Sequence, residues 1–272
     1  MNERYFETAD GCRLAFVDEG SGTPVLWQHG LGADGNQPAE VFPDIDGIRR
    51  ITLECRGHGQ SGLGDPARIS IAQFAEDVIG LLDYLGVERA VVGGISLGAA
   101  VAMRIAALHP ERALALILAR PAWLDTDGPA HLAIYRDVAR LFELYGSDDG
   151  VLHLEHSARF REIEAESPDN AASMRGFFAR PDRASTIALL SRIPEQGPGV
   201  TRQQINTLAL STLVIANQQD YVHPVELAEA LSRLIAGSTL TVITSKTISR
   251  NDYVVEFRHA LNEFLWPMRN QP

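Results

Sequence analysis

Short, largely apolar runs that alternate with amphipathic helices constrain this chain more than any other feature. Val25-Leu26-Trp27-Gln28, Ile51-Thr52-Leu53, Ala90-Val91-Val92 and Leu114-Ala115-Leu116-Ile117-Leu118 are each too short for a helix, and they read as buried strands. Between them Ser70 opens a helix, with Gln73 three residues on as its capping-box partner. Ile71, Phe74, Ala75, Val78, Leu81, Leu82 and Leu85 keep one apolar face, and Gly86 stops it. A second helix spans Leu97 to Leu108 and is ended by Pro110. Strands apolar on both sides that alternate with helices specify a mostly parallel α/β sheet covered on both faces.

Two regions depart from that rhythm. Tyr5 to Thr8 and Arg13 to Val17 form a hairpin about Asp10-Gly11. From Pro121 to Val200 the apolar residues recur at helical spacing, as in Leu132, Tyr135, Val138, Leu141 and Phe142. The alternation then resumes with strand Thr212 to Ala216, helix Val225 to Ile235, strand Thr239 to Thr244 and helix Tyr253 to Leu265. The reading is an eight-stranded sheet flanked by helices, with a core of residues 1–120 and 201–272 and a helical cap, 121–200, inserted after the sixth strand.

Of the 272 residues, 45% are hydrophobic and 22% charged, which suits an ordinary globular protein. A net charge of −11 disfavours nucleic acid and anionic membranes as partners, since both need clustered Lys and Arg. No run of apolar residues is long enough for a membrane helix, and no apolar leader follows Met1, so a cytoplasmic location is expected. Cys12 and Cys55 provide neither a disulfide framework nor metal-ligand spacing. No metal or organic cofactor is expected, the partner is a small-molecule substrate, and a homodimer is left open.

The chemistry concentrates at Gly94-Ile95-Ser96-Leu97-Gly98, between a buried strand and an Ala-rich helix. A sharp strand-to-helix turn lifts the Ser96 hydroxyl from the sheet, and Gly94 and Gly98 permit the close backbone approach this demands. The Leu97 N–H, at a helix N-terminus, can meet a developing oxyanion. Upstream lies His29-Gly30-Leu31-Gly32; Arg56-Gly57-His58-Gly59-Gln60-Ser61 follows the fourth strand, and His109-Pro110-Glu111-Arg112 follows the elbow helix. With the inserted cap and the strand-plus-Asp element Leu213 to Pro224, the chain resembles the α/β-hydrolase superfamily over nearly its whole length. The resemblance implies that the Leu31 and Leu97 N–H groups form an oxyanion hole, and that His29 and His58 hold loops. Glu54 departs from it, standing where these proteins usually carry Asp.

Such a triad runs Ser, then an acid after the seventh strand, then His after the eighth. Asp220 fits the acid. The loop that should carry the histidine reads Ser245-Lys246-Thr247-Ile248-Ser249-Arg250-Asn251-Asp252 and has none. His259 lies within the last helix on its solvated side. Three replacements stand open: His223, three residues after Asp220; Lys246, the one lysine beside 23 arginines; and a cap histidine, His131, His153 or His156. Arg120, at the end of the sixth strand, could grip a substrate carboxylate or phosphate, and Trp123 could wall the pocket; a salt bridge and plain packing are their structural alternatives. Two functions follow. One is a serine hydrolase of a small carboxylic ester, lactone or related carbonyl compound with a non-standard base. The other is a catalytically impaired protein that only binds a ligand in the same pocket.

Overall fold

The computed structural model describes residues 4–270. Among them eight strands form one sheet: β1 Arg4–Glu7, β2 Arg13–Gly20, β3 Thr23–Gln28, β4 Ile48–Leu53, β5 Ala90–Ile95, β6 Ala113–Ala119, β7 Thr212–Asn217 and β8 Thr239–Ile243. Their order is β1-β2-β4-β3-β5-β6-β7-β8. The β1–β2 and β2–β4 pairs are antiparallel and all later pairs parallel. The expected sheet is therefore present, with each central strand one to three residues longer than the apolar run that marked it.

The helices are α1 Asn36–Val41, α2 Ile71–Tyr84, α3 Leu97–Leu108, α4 Ala133–Glu155, α5 Ala158–Glu166, α6 Pro168–Phe177, α7 Arg183–Arg192, α8 Arg202–Asn206, α9 Val225–Leu234 and α10 Arg250–Leu265. None of them is long and apolar enough to cross a membrane. The strands bury alternate residues on opposite faces, which is why their sequences read as continuous apolar runs. Leu26, Val92, Leu116 and Val214 face a core built with α2, α3 and α9. Val25, Trp27, Val91, Ile117 and Ile215 face a second core closed by Phe257 and Leu261 of α10. Helices α4 to α7, inserted between β6 and β7, bury Val138, Phe142, Phe160 and Met174 continuously with the first core.

Two local expectations are corrected. Ser70 caps α2 by accepting from the Gln73 N–H (2.9 Å), but the Gln73 amide does not reach back. It accepts from Arg68 and donates to Asp77 instead, a longer-range pairing that outcompetes the local box. Helix α10 starts at Arg250, three residues before the apolar pattern, because the Ser249 hydroxyl caps it through the Asp252 N–H. That places Tyr253 in the first turn, pointing into the protein.

The strand order sets where a ligand can sit. The chain leaves β3 toward β4 on one side and returns to β5 on the other, so the carboxyl ends of β3 and β5 flank the switch point where open α/β sheets form their crevice. The loop after β3 is His29-Gly30-Leu31-Gly32, and the residue after β5 is Ser96.

Candidate active site

Ser96 adopts φ 57° and ψ −109°, in the left-handed half of backbone space that costs a non-glycine residue about 1–3 kcal/mol. The surroundings enforce it. A Cβ on Gly94 would lie 2.6 Å from the Gly98 carbonyl carbon, and one on Gly98 would lie 2.4 Å from the Gln28 oxygen. The Ser96 N–H is tied to the Ala119 carbonyl (2.9 Å), which fixes the turn against β6. Leu97 begins α3, so its N–H has no helical carbonyl to meet and remains available to an anion. Apart from Asn270, the other described non-glycine residues with positive φ are Arg120 and Gln219. They follow β6 and β7, so three strained positions line up along the same edge of the sheet.

The loop after β3 is held from below and above. Below, His29 is fully buried; its Nε2 accepts from the Cys55 N–H (3.0 Å), so its Nδ1 carries the proton given to the Gly30 carbonyl (2.8 Å). Burial pushes its pKa from 6.5 down to about 4. The His58 ring packs against it, tilted, with ring centres 4.7 Å apart, and burial likewise holds it neutral. The Gln37 side chain accepts from the Gly30 N–H (2.7 Å). Above, Arg180 donates to the Gly32 carbonyl (2.6 Å), and Phe177 packs so closely on Gly32 (φ 75°) that any Cβ there would collide with its ring. Leu31 is half-buried between these contacts. Glu54, the departure noted above, accepts from the Gly35 and Gln60 N–H groups and so straps two loops together.

The acid side is built from charges. Asp220 is buried; one oxygen, Oδ2, receives Nε (2.7 Å) and Nη2 (2.6 Å) of Arg120, and the other, Oδ1, receives Nδ1 of His223 (2.8 Å). Burial opposes ionisation of Asp220, but the Arg120 and His223 interactions prevail and hold it below the usual carboxylate range. His223 is also buried, and desolvation lowers its pKa below 6.5 despite the partly offsetting Asp220 charge. Arg120 follows Ala119, which pairs with Ile95, so its backbone stands beside Ser96 while its guanidinium reaches Asp220. The loop after β8 places Thr247 against Asp169 (2.7 Å) and the Lys246 ammonium 4.8 Å from the centre of the Tyr253 ring. Desolvation and the Arg120 charge lower the Lys246 pKa.

The structure thus joins Asp220, His223 and Arg120 directly and sets Lys246 nearby. Among the described residues no side chain hydrogen-bonds the Ser96 hydroxyl. Trp123 is buried, and its indole N–H is given to the Gln196 carbonyl (2.6 Å). Of the other histidines, His131 contacts the Ala122 carbonyl (2.9 Å), His153 stacks on Tyr145 and His259 pairs with Glu263 on the surface. Sequence reasoning missed Tyr253, Phe177 and Arg180. Only Tyr253 left a signal, as an aromatic residue one turn after a Ser cap. Among the described residues no three His, Cys, Asp or Glu side chains converge to hold a metal ion.

A family model described as the alpha/beta hydrolase fold matches residues 23–245. The dihydrolipoyllysine-residue acetyltransferase component of the acetoin cleaving system of Cupriavidus necator is 29% identical over 83% of this chain; the chain spans only 59% of that protein. The 3-oxoadipate enol-lactonase 2 of Acinetobacter baylyi is 28% identical over 96% of this chain and 91% of its own length. Among solved structures, a thermophilic esterase from Thermogutta terrifontis superposes with a TM-score of 0.75 at 25% identity, over 99% of this chain and all (100%) of that one.

Proposed function

The chain belongs to the α/β-hydrolase fold family, and from that premise we propose that it is a serine hydrolase of small carboxylic esters or lactones. The observation that carries the reading is the strained Ser96 turn at the sheet's switch point, flanked by two glycines at which a Cβ would press on neighbouring backbone. Similarity to an enol-lactonase and an esterase over nearly the full length supports the same bond type.

In this reading Ser96 Oγ attacks the substrate carbonyl carbon and its proton passes to Nε2 of His223. Asp220, bound to Nδ1 of that ring, selects the tautomer and stabilises the imidazolium. The Leu31 and Leu97 N–H groups hold the oxyanion. Collapse expels the alcohol, which takes the proton back, and water then repeats the cycle on the acyl-enzyme. Helices α4 to α7 act as the cap, with Phe177 and Arg180 pressing on the oxyanion loop.

A fluorophosphonate probe tests this. Wild-type protein labels, and Ser96→Ala abolishes labelling and lowers ester turnover by roughly 10⁴-fold or more while the fold persists. A ligand-binding protein without turnover is the second reading, favoured by one observation: Arg120 already occupies a full oxygen of the acid. Absence of labelling in wild type selects it.

A further inference from the structure

Helix α6 touches both halves of the site. At its start the fully buried Ser167 hydroxyl accepts from the Tyr221 N–H (2.9 Å) and donates to the Gln219 carbonyl (2.8 Å). Asn170 accepts from the Val222 N–H (3.0 Å), and Asp169 accepts from the Thr247 hydroxyl (2.7 Å). The first turn of one helix thus holds the backbone on both sides of Asp220 and also the loop after β8. Gln219, with its positive φ of 55°, is fixed by the same contacts. At the other end Phe177 lies against Gly32, and Arg180 donates to the Gly32 carbonyl (2.6 Å).

The stretch between these ends is stiff. Backbone hydrogen bonds continue past Phe177 as far as Arg180, whose N–H donates to the Phe177 carbonyl (3.3 Å). Ala171 and Met174 are fully buried, and Arg175 pairs with Glu155 of α4 and Glu164 of α5. The span also fits the sheet beneath. Three strand spacings, about 14 Å, separate β3 from β7, and the ten residues of α6 rise about 15 Å. The strands crossed are β5 and β6, which lead into Ser96 and Arg120. The oxyanion loop is close to the nucleophile, since a Cβ on Gly30 would lie 3.5 Å from the Ser96 Cβ.

We propose that α6 is a splint across the active site, holding the acid loop and the oxyanion loop at one separation, with Ser167, Asn170 and Arg180 as positioning residues. This rests on the serine-hydrolase reading for its effect on turnover, but not for the mechanical coupling. Loosening either end then misplaces both loops, and the two ends fail as one.

The test is a double-variant cycle of Ser167→Ala and Arg180→Met with 4-nitrophenyl acetate, an ester with little to bind in the cap. Each single variant lowers kcat by about 10- to 100-fold with KM nearly unchanged, the loss expected when reacting groups are displaced by about 1 Å. The double variant loses little more than the worse single one. Ser167→Thr, which keeps the hydroxyl, recovers part of the rate. Hydrogen exchange gives a readout independent of turnover: either single variant speeds exchange both in residues 219–222 and in residues 30–33. Arg180 is only half-buried, so Arg180→Met keeps the fold, and exchange at 219–222 in that variant decides alone if Ser167→Ala does not fold. Losses in kcat that multiply in the double variant, or exchange that rises only in the loop whose bond was removed, overturn the proposal. If wild type turns over no ester, the serine-hydrolase reading fails, and the exchange pattern still decides the splint.

Discussion

The two halves of the site are built on different physics. The elbow half, Ser96 with the loop after β3, is fixed mainly by sterics and by hydrogen bonds to backbone groups, with Arg180 and Glu54 each spent on backbone partners rather than on an opposite charge. Its histidines are neutral, and its limits are set by missing side chains at Gly32, Gly94 and Gly98. The acid half is fixed by charge, through partners far apart in sequence, Arg120 and Asp220 above all. An elbow of this kind tolerates changes of charge but not of volume. A charge cluster tolerates small changes of shape but not the loss of one member, because the remaining charge is left buried.

The largest effect that sharpens this contrast is Arg120→Met. It leaves Asp220 without its main counter-charge and should cost about 3–5 kcal/mol at neutral pH, measured by urea unfolding. The deficit should narrow as pH falls. Asp220 is depressed in the folded protein, so its contribution is present above its unfolded pKa and disappears once it is protonated. A uniform loss at all pH values would break the distinction between the halves.

The elbow half has its own pH signature of opposite origin. His29 is lowered to about 4, so the unfolded chain binds a proton between pH 6.5 and 4 that the folded one refuses. Stability should therefore fall with pH through that window, by up to about 3 kcal/mol from His29 alone. A His29→Gln variant should lose much of that slope while keeping its stability difference above pH 7 nearly constant.

A smaller effect is expected from Gly98→Ala, where one carbon meets the Gln28 carbonyl. Overpacking of this kind costs roughly 1–3 kcal/mol, read as a lower Tm. It should be independent of pH, in contrast to Arg120→Met.

The same contrast explains what the sequence revealed. The strands and the turn at Ser96 are legible because they depend on local pattern, apolar runs and a Gly-x-Ser-x-Gly, whereas Asp220 is picked out only by the order of residues that the family resemblance implies. The short helices α1 and α8, of six and five residues, carry too few apolar positions to show a period. The pairing of Arg120 with Asp220 spans 100 residues and depends on parallel register between β6 and β7, which no local pattern encodes. Seen alone, Arg120 read equally well as a ligand grip or a salt bridge.

The base is where the two halves must cooperate, and the pH dependence of kcat/KM for a neutral ester between pH 4.5 and 10 tests it most directly. With His223 as base, its lowered pKa predicts an acidic limb with a midpoint below 6.5, a plateau from about 7 to 9, and loss of that limb in His223→Gln. A limb centred above pH 8 that survives His223→Gln and vanishes in Lys246→Gln would contradict the account and make the lysine the base.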